Sequence, residues 1–220
     1  MAKVYLIPGL GNDVRIFSNL IPLLLEQDVC CLEHLEPLSV KESIESYAQR
    51  LVDGIPDLEE PPVLIGMSLG GTIATEMAKR MPYRKLILIS SFKHQTEVPL
   101  LFKIGRKIPL YRFVPTWYIR LIVPLFAWLL GICTKEESKL LKLMLYARTA
   151  SHFAWGREAV VHWDNMDYPA EFIHINGTKD HIFKRSEKQA THLIKGGTHN
   201  MVLDRAEEIA EIINKEAFDF

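Results

Sequence analysis

The sequence predicts an α/β protein with three layers, in which helices cover both faces of a mostly parallel sheet. Six short apolar segments, rich in β-branched residues and bounded by turn residues, are typical of buried strands. Segments with helical periodicity lie between them, and strands that alternate with helices form parallel sheets covered on both faces. The predicted strands are residues 3–7, 29–32, 63–67, 85–90, 171–175 and 191–194.

The helices are predicted from apolar spacing and from capping residues. Residues 40–53 place apolar side chains on one face, and Ser39 with Glu42 three positions later matches a capping box. A last helix is predicted from residue 204 to about residue 217, with Asp204 as its N-cap.

Length and composition indicate one domain over residues 1–220. Hydrophobic residues make up 48% of the 220 and charged residues 24%, which argues against intrinsic disorder. The net charge of −1 provides no basic excess for nucleic acid. Cys30, Cys31 and Cys133 cannot all pair, so we expect no disulfide framework and small buried side chains at the first two. The N-terminus predicts a strand rather than a cleavable leader, and we expect a cytoplasmic protein.

Residues 92–165 differ in composition from the rest of the chain. They contain all four tryptophans, and eleven basic against five acidic residues leave a net charge of +6 there and −7 elsewhere. The apolar run 121–133 has 13 residues and contains Pro124, whereas a bilayer span needs about 20. We therefore predict a helical, aromatic and basic insertion in an acidic α/β core.

The segment Gly66-Met67-Ser68-Leu69-Gly70 carries the clearest chemical signal. It follows a predicted strand and begins a helix that runs to about residue 80, which is the context of a G-x-S-x-G nucleophile turn. The glycines allow the sharp turn, and the serine lies at a helix N-terminus where amide groups favour developing negative charge. The alternative is a glycine-rich turn with an idle serine.

A serine nucleophile needs a base, and the base needs an acid to orient it. His199 follows the last predicted strand, and Asp180 follows the strand before it, at the sheet end where such folds place their sites. Asp164 and Asp167 are alternative acids, although neither directly follows a core strand. Asp13 and His34 lie in loops at the same end and are candidates to line a pocket.

These motifs resemble the α/β-hydrolase superfamily, and the resemblance covers the whole chain except the insertion. The chain carries Ile7-Pro8-Gly9-Leu10-Gly11, the Gly66–Gly70 turn, the segment leading from Ile175 to Asp180, and Gly197-Thr198-His199. The resemblance implies a core trimmed of two N-terminal strands and an insertion that acts as a lid. It also implies a Ser68-His199-Asp180 triad, with the N–H groups of Leu10 and Leu69 as the oxyanion hole.

The resemblance implies a serine hydrolase acting on a carboxylic ester with a small or medium apolar acyl group. Other reactions on the same machinery stay open: thioester or amide cleavage, acyl transfer, C–C hydrolysis and perhydrolysis. A ligand-binding or signalling module on this fold is the alternative of another class. We expect no cofactor and no metal site, because no histidine or cysteine spacing matches one. His174, His181 and His192 are expected to be structural or exposed.

The basic residues of the insertion have two readings. The first is that these basic residues face water while the apolar residues pack the lid onto the core, and this is the expectation we favour. The alternative is that they attract an anionic substrate or an anionic membrane surface.

Overall fold

Six strands and eight α-helices are formed by the residues that the computed structural model describes, which are 3–25, 28–124, 127–132, 134–184 and 186–218. Cys133 lies outside them. The strands are β1 (Val4–Ile7), β2 (Val29–Cys31), β3 (Val63–Met67), β4 (Lys85–Ile89), β5 (Phe172–Gly177) and β6 (His192–Ile194). The helices are α1 (Ile44–Asp53), α2 (Leu69–Ala78), α3 (Leu100–Lys107), α4 (Thr116–Ile122), α5 (Lys135–Ala147), α6 (Ala150–His162), α7 (Met201–Asp204) and α8 (Ala206–Ile213).

The six strands form one sheet in the order β2-β1-β3-β4-β5-β6, and every pair in it is parallel. The register is continuous through the centre, where Ile65 of β3 faces Ile87 of β4 and Ile87 faces Ile173 of β5. All the carboxyl ends of the strands therefore meet at one edge. The predicted α/β class with a mostly parallel sheet is confirmed.

Alternate residues of the central strands enter two hydrophobic cores, one on each face of the sheet. Leu6, Ile65 and Ile87 belong to the core beneath α7 and α8. Ile7 and Leu64 belong to the core that contains the apolar faces of α1 and α2. This period of two gives the three layers, because each strand must bury both of its faces.

Two predicted helix starts are wrong. Helix α1 begins at Ile44 with Ser43 as its N-cap, because the Ser43 hydroxyl accepts from the Ser46 N–H at 3.2 Å. Glu42 does not act in a capping box with Ser39; its carboxylate accepts from the Leu38 N–H at 2.7 Å and pairs with Arg50 at 2.9 Å.

At the C-terminus the predicted single helix from residue 204 is divided. Asp204 ends the short helix α7 instead of capping the next one, and α8 begins at Ala206 after Arg205, whose backbone is not helical. The two-helix arrangement lets Met201, Val202 and Leu203 enter the core beside the last strand.

Strand β2 is also different from its prediction, since it lies at the edge of the sheet. Its residues, including Cys30 and Cys31, are half-buried rather than buried. Burial still raises the pKa of the Cys31 thiol to about 12, with a further contribution from the nearby Glu33 carboxylate. The thiol is therefore protonated at neutral pH, and thiolate chemistry is not favoured there.

Helices α3 to α6 come from the segment between β4 and β5. Both α3 and α4 pack against α6, and α6 packs against α2, so that α6 lies between the outer helices and the sheet. A Cβ on Gly156 of α6 would lie within 2.4 Å of the Leu10 side chain. Among the described residues, no helix combines the length and the apolar character needed to cross a membrane.

Candidate active site

Ser68 occupies a strained turn between β3 and α2. Its φ of 53° and ψ of −121° lie where side chains other than glycine are rarely found. The turn needs glycine at Gly70, because a Cβ there would lie 2.1 Å from the carbonyl oxygen of Ile7. The close approach of the turn to β1 therefore explains why small residues surround the serine.

The side chains of Ser68, His199 and Asp180 form a continuous hydrogen-bonded row. His199 Nε2 lies 3.2 Å from Ser68 Oγ, and His199 Nδ1 lies 3.0 Å from Asp180 Oδ2. A carboxylate only accepts, so Nδ1 carries a proton and Nε2 of the neutral ring is free to accept from the serine hydroxyl. His199 and Asp180 are buried, whereas Ser68 is half-buried.

The loop after β5 prepares Asp180 for this contact. The second carboxylate oxygen, Oδ1, accepts from the backbone N–H groups of Ile182 at 2.8 Å and Phe183 at 3.0 Å. Burial acts to raise the pKa of Asp180, but His199 and these hydrogen bonds together lower it below its ordinary value. Asp180 is thus an anion held in one orientation.

A second hydrogen-bonded row holds the backbone of Ser68, and this row was not predicted. The Ser91 hydroxyl donates to the Ser68 carbonyl oxygen at 2.7 Å, and His174 Nε2 donates to the Ser91 carbonyl oxygen at 3.0 Å. Burial lowers the pKa of His174 to about 3, assisted by nearby Lys93, so the ring is neutral. The signal for Ser91 was its place two residues after β4, the strand that pairs with β3.

The turn after β1 lies against the serine. A Cβ on Gly9 would lie 3.1 Å from Ser68 Cβ, and the Gly9 carbonyl oxygen accepts from the Asn12 N–H at 3.1 Å. Leu10 and Leu69 follow Gly9 and Ser68 in the chain, and both side chains contact the same position on α6, Gly156. The two residues that the resemblance assigned to the oxyanion hole are therefore neighbours.

His34 also contacts this turn. Its Nε2 lies 3.3 Å from the Gly9 carbonyl oxygen, which only accepts, so this nitrogen carries the proton. Its Nδ1 lies 3.3 Å from the hydroxyl of Tyr47, and its ring lies 4.6 Å from that of His152. Burial, then His152 and then Arg148 hold the pKa of His34 well below its ordinary value. The neutral ring is thus a single donor aimed at Gly9.

The other candidate residues lie elsewhere. Asp164 pairs with Arg106 at 3.5 Å, and Asp13 caps a short turn and pairs with Arg15, so neither contacts His199. Asp167 donates its backbone N–H to Asn165 at 3.4 Å.

His181 and His192 do not belong to the hydrogen-bonded rows at Ser68. His181 is exposed, and His192 lies 3.6 Å from Glu216. In the part of the chain that the structure describes, no three histidine, cysteine or acidic side chains are grouped as metal ligands.

Comparison with known proteins gives a family match and several structural neighbours. A model of the alpha/beta hydrolase family matches residues 4–212 of the chain. No curated protein sequence matches it significantly.

Three solved structures illustrate the structural likeness. An esterase from Thermogutta terrifontis with malate bound has a TM-score of 0.70 at 16% identity, covering 98% of this chain and 89% of that chain. An esterase from Exiguobacterium antarcticum has a TM-score of 0.71 at 14% identity, with 97% and 90% covered. The type II thioesterase BorB of the borrelidin biosynthetic cluster has a TM-score of 0.67 at 16% identity, with 98% and 92% covered. At these identities the likeness is one of fold.

Proposed function

The chain belongs to the alpha/beta hydrolase family, and from this premise we propose that it is a serine hydrolase that cleaves carboxylic esters of small or medium apolar acyl groups. The observation that carries the proposal is the row of hydrogen bonds from Ser68 through His199 to Asp180. Nucleophile, base and orienting acid are the three parts that acyl transfer to serine requires.

In the first half of the reaction Ser68 Oγ attacks the ester carbonyl carbon while His199 Nε2 takes the hydroxyl proton. Asp180 holds the imidazole in the tautomer with Nδ1 protonated and stabilises the imidazolium that forms. His199 then gives the proton to the leaving alcohol, and the acyl group stays on Ser68. A water molecule, activated by the same histidine, releases the acid in the second half.

The negative oxygen of each tetrahedral intermediate is bound by the N–H groups of Leu10 and Leu69. The Leu10 N–H belongs to the same peptide unit as the Gly9 carbonyl, whose oxygen accepts from His34 and from the Asn12 N–H. Because a peptide unit is planar, these two donors fix the direction in which the Leu10 N–H points. His34 is in this proposal a positioning residue of the oxyanion hole, and the pre-set direction lowers the barrier.

The preference for a small or medium acyl group rests on the apolar side chains near Ser68 and His199. Helix α6 approaches so closely at Gly156 that the Leu10 side chain fills the space of a Cβ there, and Leu69 lies beside it. The Phe183 ring lies 5.4 Å from the His199 ring. These apolar groups favour an apolar acyl group over a charged one. We also propose that residues 92–165 act as the lid.

The test is hydrolysis of p-nitrophenyl esters from acetyl to palmitoyl, with Ser68→Ala as the blank. We expect turnover that depends on Ser68 and is fastest for the shorter chains. A matched series of thioesters measures whether the oxygen ester is preferred. A preference for palmitoyl would contradict the proposed acyl size. Faster turnover of every thioester would show that thioesters, not oxygen esters, are the substrate class.

A covalent probe separates the nucleophile from the substrate. A fluorophosphonate reagent followed by peptide mass spectrometry is expected to modify Ser68 in the wild-type protein and to leave it unmodified in His199→Ala. Ser91→Ala serves as a control for a second serine near the site. The Ser91 hydroxyl donates to the Ser68 carbonyl, so Ser68 should still be modified in this variant. Modification of Ser68 without turnover of any ester would support Ser68 as the nucleophile and contradict the proposed ester substrate. Modification of another residue would contradict the assignment of Ser68.

A further inference from the structure

Helix α3 exposes its apolar side and turns a basic residue inward. Leu100, Leu101 and Ile104 are exposed, and Leu101 keeps 73% of its surface accessible. On the inner side, Arg106 donates to the backbone carbonyl oxygens of Val161 and Trp163. A helix on the surface of a soluble domain normally buries its apolar side chains, whereas α3 packs Phe102 against the core but leaves Leu100, Leu101 and Ile104 exposed.

Helix α4 repeats this arrangement. Trp117, Tyr118 and Leu121 are exposed, while Ile119 packs against the core and Arg120 donates to the carbonyl oxygen of Leu145 at 3.3 Å. The turn between the two helices adds Phe113, which keeps 82% of its surface accessible. The two helices and their connection thus each expose large apolar side chains, and one arginine of each helix donates to backbone carbonyl oxygens of the fold.

The exposed apolar residues are concentrated in this part of the chain. Half of the large apolar side chains that are exposed among the described residues lie between residues 100 and 128. We name this set the outer lid face: Leu100, Leu101, Ile104, Ile108, Leu110, Phe113, Trp117, Tyr118, Leu121 and Trp128. An exposed apolar patch of this kind marks a contact surface.

The segment that carries the outer lid face is rich in basic residues, of which Arg106 pairs with Asp164 and Arg112 with Glu158. The sequence has no acidic residue from Val98 to Lys135, but six basic ones, among them Lys103 and Lys107 of α3. Leu100 and Leu101 also line a groove of about 1050 Å³ whose other residues include Lys184, Lys188 and one acid, Glu187. The rest of the chain is acidic, with a net charge of −7 outside residues 92–165.

We propose that the outer lid face docks on the surface of a lipid bilayer that contains anionic headgroups. Aliphatic and aromatic side chains enter the interface between headgroups and acyl chains, and lysines at their edges attract the negative lipid charge. The acidic remainder of the molecule is repelled by the same surface, so the charge distribution orients the protein with α3 and α4 towards the lipid. This inference does not depend on the proposed reaction.

Vesicle sedimentation tests the proposal with vesicles of phosphatidylcholine with and without phosphatidylserine. We expect the wild-type protein to bind the vesicles that contain phosphatidylserine, and to bind them less as salt is added. Leu101→Ser should weaken binding about tenfold, since it removes one exposed apolar side chain that would enter the lipid. Lys107→Glu should weaken it by about fivefold or more, since it replaces an attractive charge by a repulsive one.

Two matched variants control for general effects of the substitutions. Leu38 is as exposed as Leu101, at 73%, but lies outside the outer lid face, so Leu38→Ser should bind as the wild type does. Lys215→Glu makes the same charge change near the C-terminus and should also leave binding unchanged. Thermal unfolding by circular dichroism checks that each variant is folded; if Leu101→Ser is not, Lys107→Glu decides.

Three results would overturn the proposal. The first is that the wild-type protein binds neither kind of vesicle. The second is that Leu101→Ser and Leu38→Ser weaken binding equally. The third is that the wild-type protein binds no vesicles but self-associates in light scattering, and that Leu101→Ser abolishes this self-association. The outer lid face would then join two copies of the chain.

Discussion

Replacing His34 by phenylalanine tests whether the oxyanion hole is oriented from behind. The change removes the Nε2–H that donates to the Gly9 carbonyl oxygen and keeps a ring in the space between Tyr47 and His152, whose ring centres lie 6.4 and 4.6 Å away. It also removes the contact of Nδ1 with the Tyr47 hydroxyl, which still donates to the Leu35 carbonyl oxygen, and it leaves Ser68, His199 and Asp180 unchanged. We expect a lower kcat with an almost unchanged KM, because the oxyanion exists only after the carbonyl is attacked.

The size of the effect follows from the number of donors on Gly9. Its carbonyl oxygen accepts from His34 at 3.3 Å and from the Asn12 N–H at 3.1 Å, so the variant keeps one donor of two. A neutral hydrogen bond contributes about 0.5–1.5 kcal/mol, which corresponds to a loss in kcat of about two- to tenfold. The loss should stay below the hundredfold or so that follows from removing an oxyanion donor itself.

The assay is steady-state hydrolysis of a short p-nitrophenyl ester at pH 7.5, with His152→Phe as the matched control. His152 is a buried neighbour of His34, but its Nε2 has no hydrogen-bond partner among the described residues, so its loss should leave kcat unchanged. The reasoning is refuted if His34→Phe retains the wild-type kcat, or if the two variants lose activity to the same extent.

Three other substitutions test the fold and the site. Asp180→Asn should lower kcat by about 10⁴-fold with the fold intact, because the amide favours the wrong histidine tautomer; Asp164→Asn should leave kcat unchanged in the same assay. Gly70→Ala should lower the free energy of unfolding in urea by about 1–3 kcal/mol, since its Cβ would meet the Ile7 carbonyl at 2.1 Å, whereas Gly54→Ala, with its nearest atom at 3.5 Å, should not. His152→Phe should reduce the loss of stability on acidification. Burial, aided by Arg148, lowers the pKa of His152 to about 4, so the unfolded chain takes up a proton before the folded one does as pH falls below 6.5. Urea unfolding at pH 7.5 and pH 5 should show a decline about 2 kcal/mol smaller in the variant.

The parts of the fold that could be predicted from the sequence depend on local pattern. Each buried central strand is a short apolar run between turn residues, and β3 spans the predicted residues 63–67. The start of α1 was predicted wrongly because Glu42, the acid of the predicted capping box, makes other contacts in the folded chain. Glu42 is drawn away from the helix N-terminus by Arg50, and the Trp155 indole donates to the Glu42 backbone carbonyl at 2.9 Å from 113 residues further along the chain.

The same distinction applies to the candidate site. Ser68, Asp180 and His199 could be proposed because each follows a predicted strand, and parallel strands bring their carboxyl ends to one edge. The contacts of Ser91 and His34 could not, although these residues also follow strands, β4 and β2. Position after a strand places a residue at the edge; it does not say whether its side chain points at the reacting group or at the backbone behind it.

That difference in direction has a functional meaning under the proposed reaction. On the loops after β3, β5 and β6, the side chains that point towards the reacting group supply the nucleophile, the acid and the base. The loops after β2 and β4 instead contribute donors to backbone carbonyls, at Gly9 through His34 and at Ser68 through Ser91. These second contacts hold the two turns whose N–H groups must meet one oxyanion. Because a carbonyl accepts from any suitable donor, such supports carry little sequence signature, and they become visible only when the strand order places β2 and β4 on either side of β1 and β3.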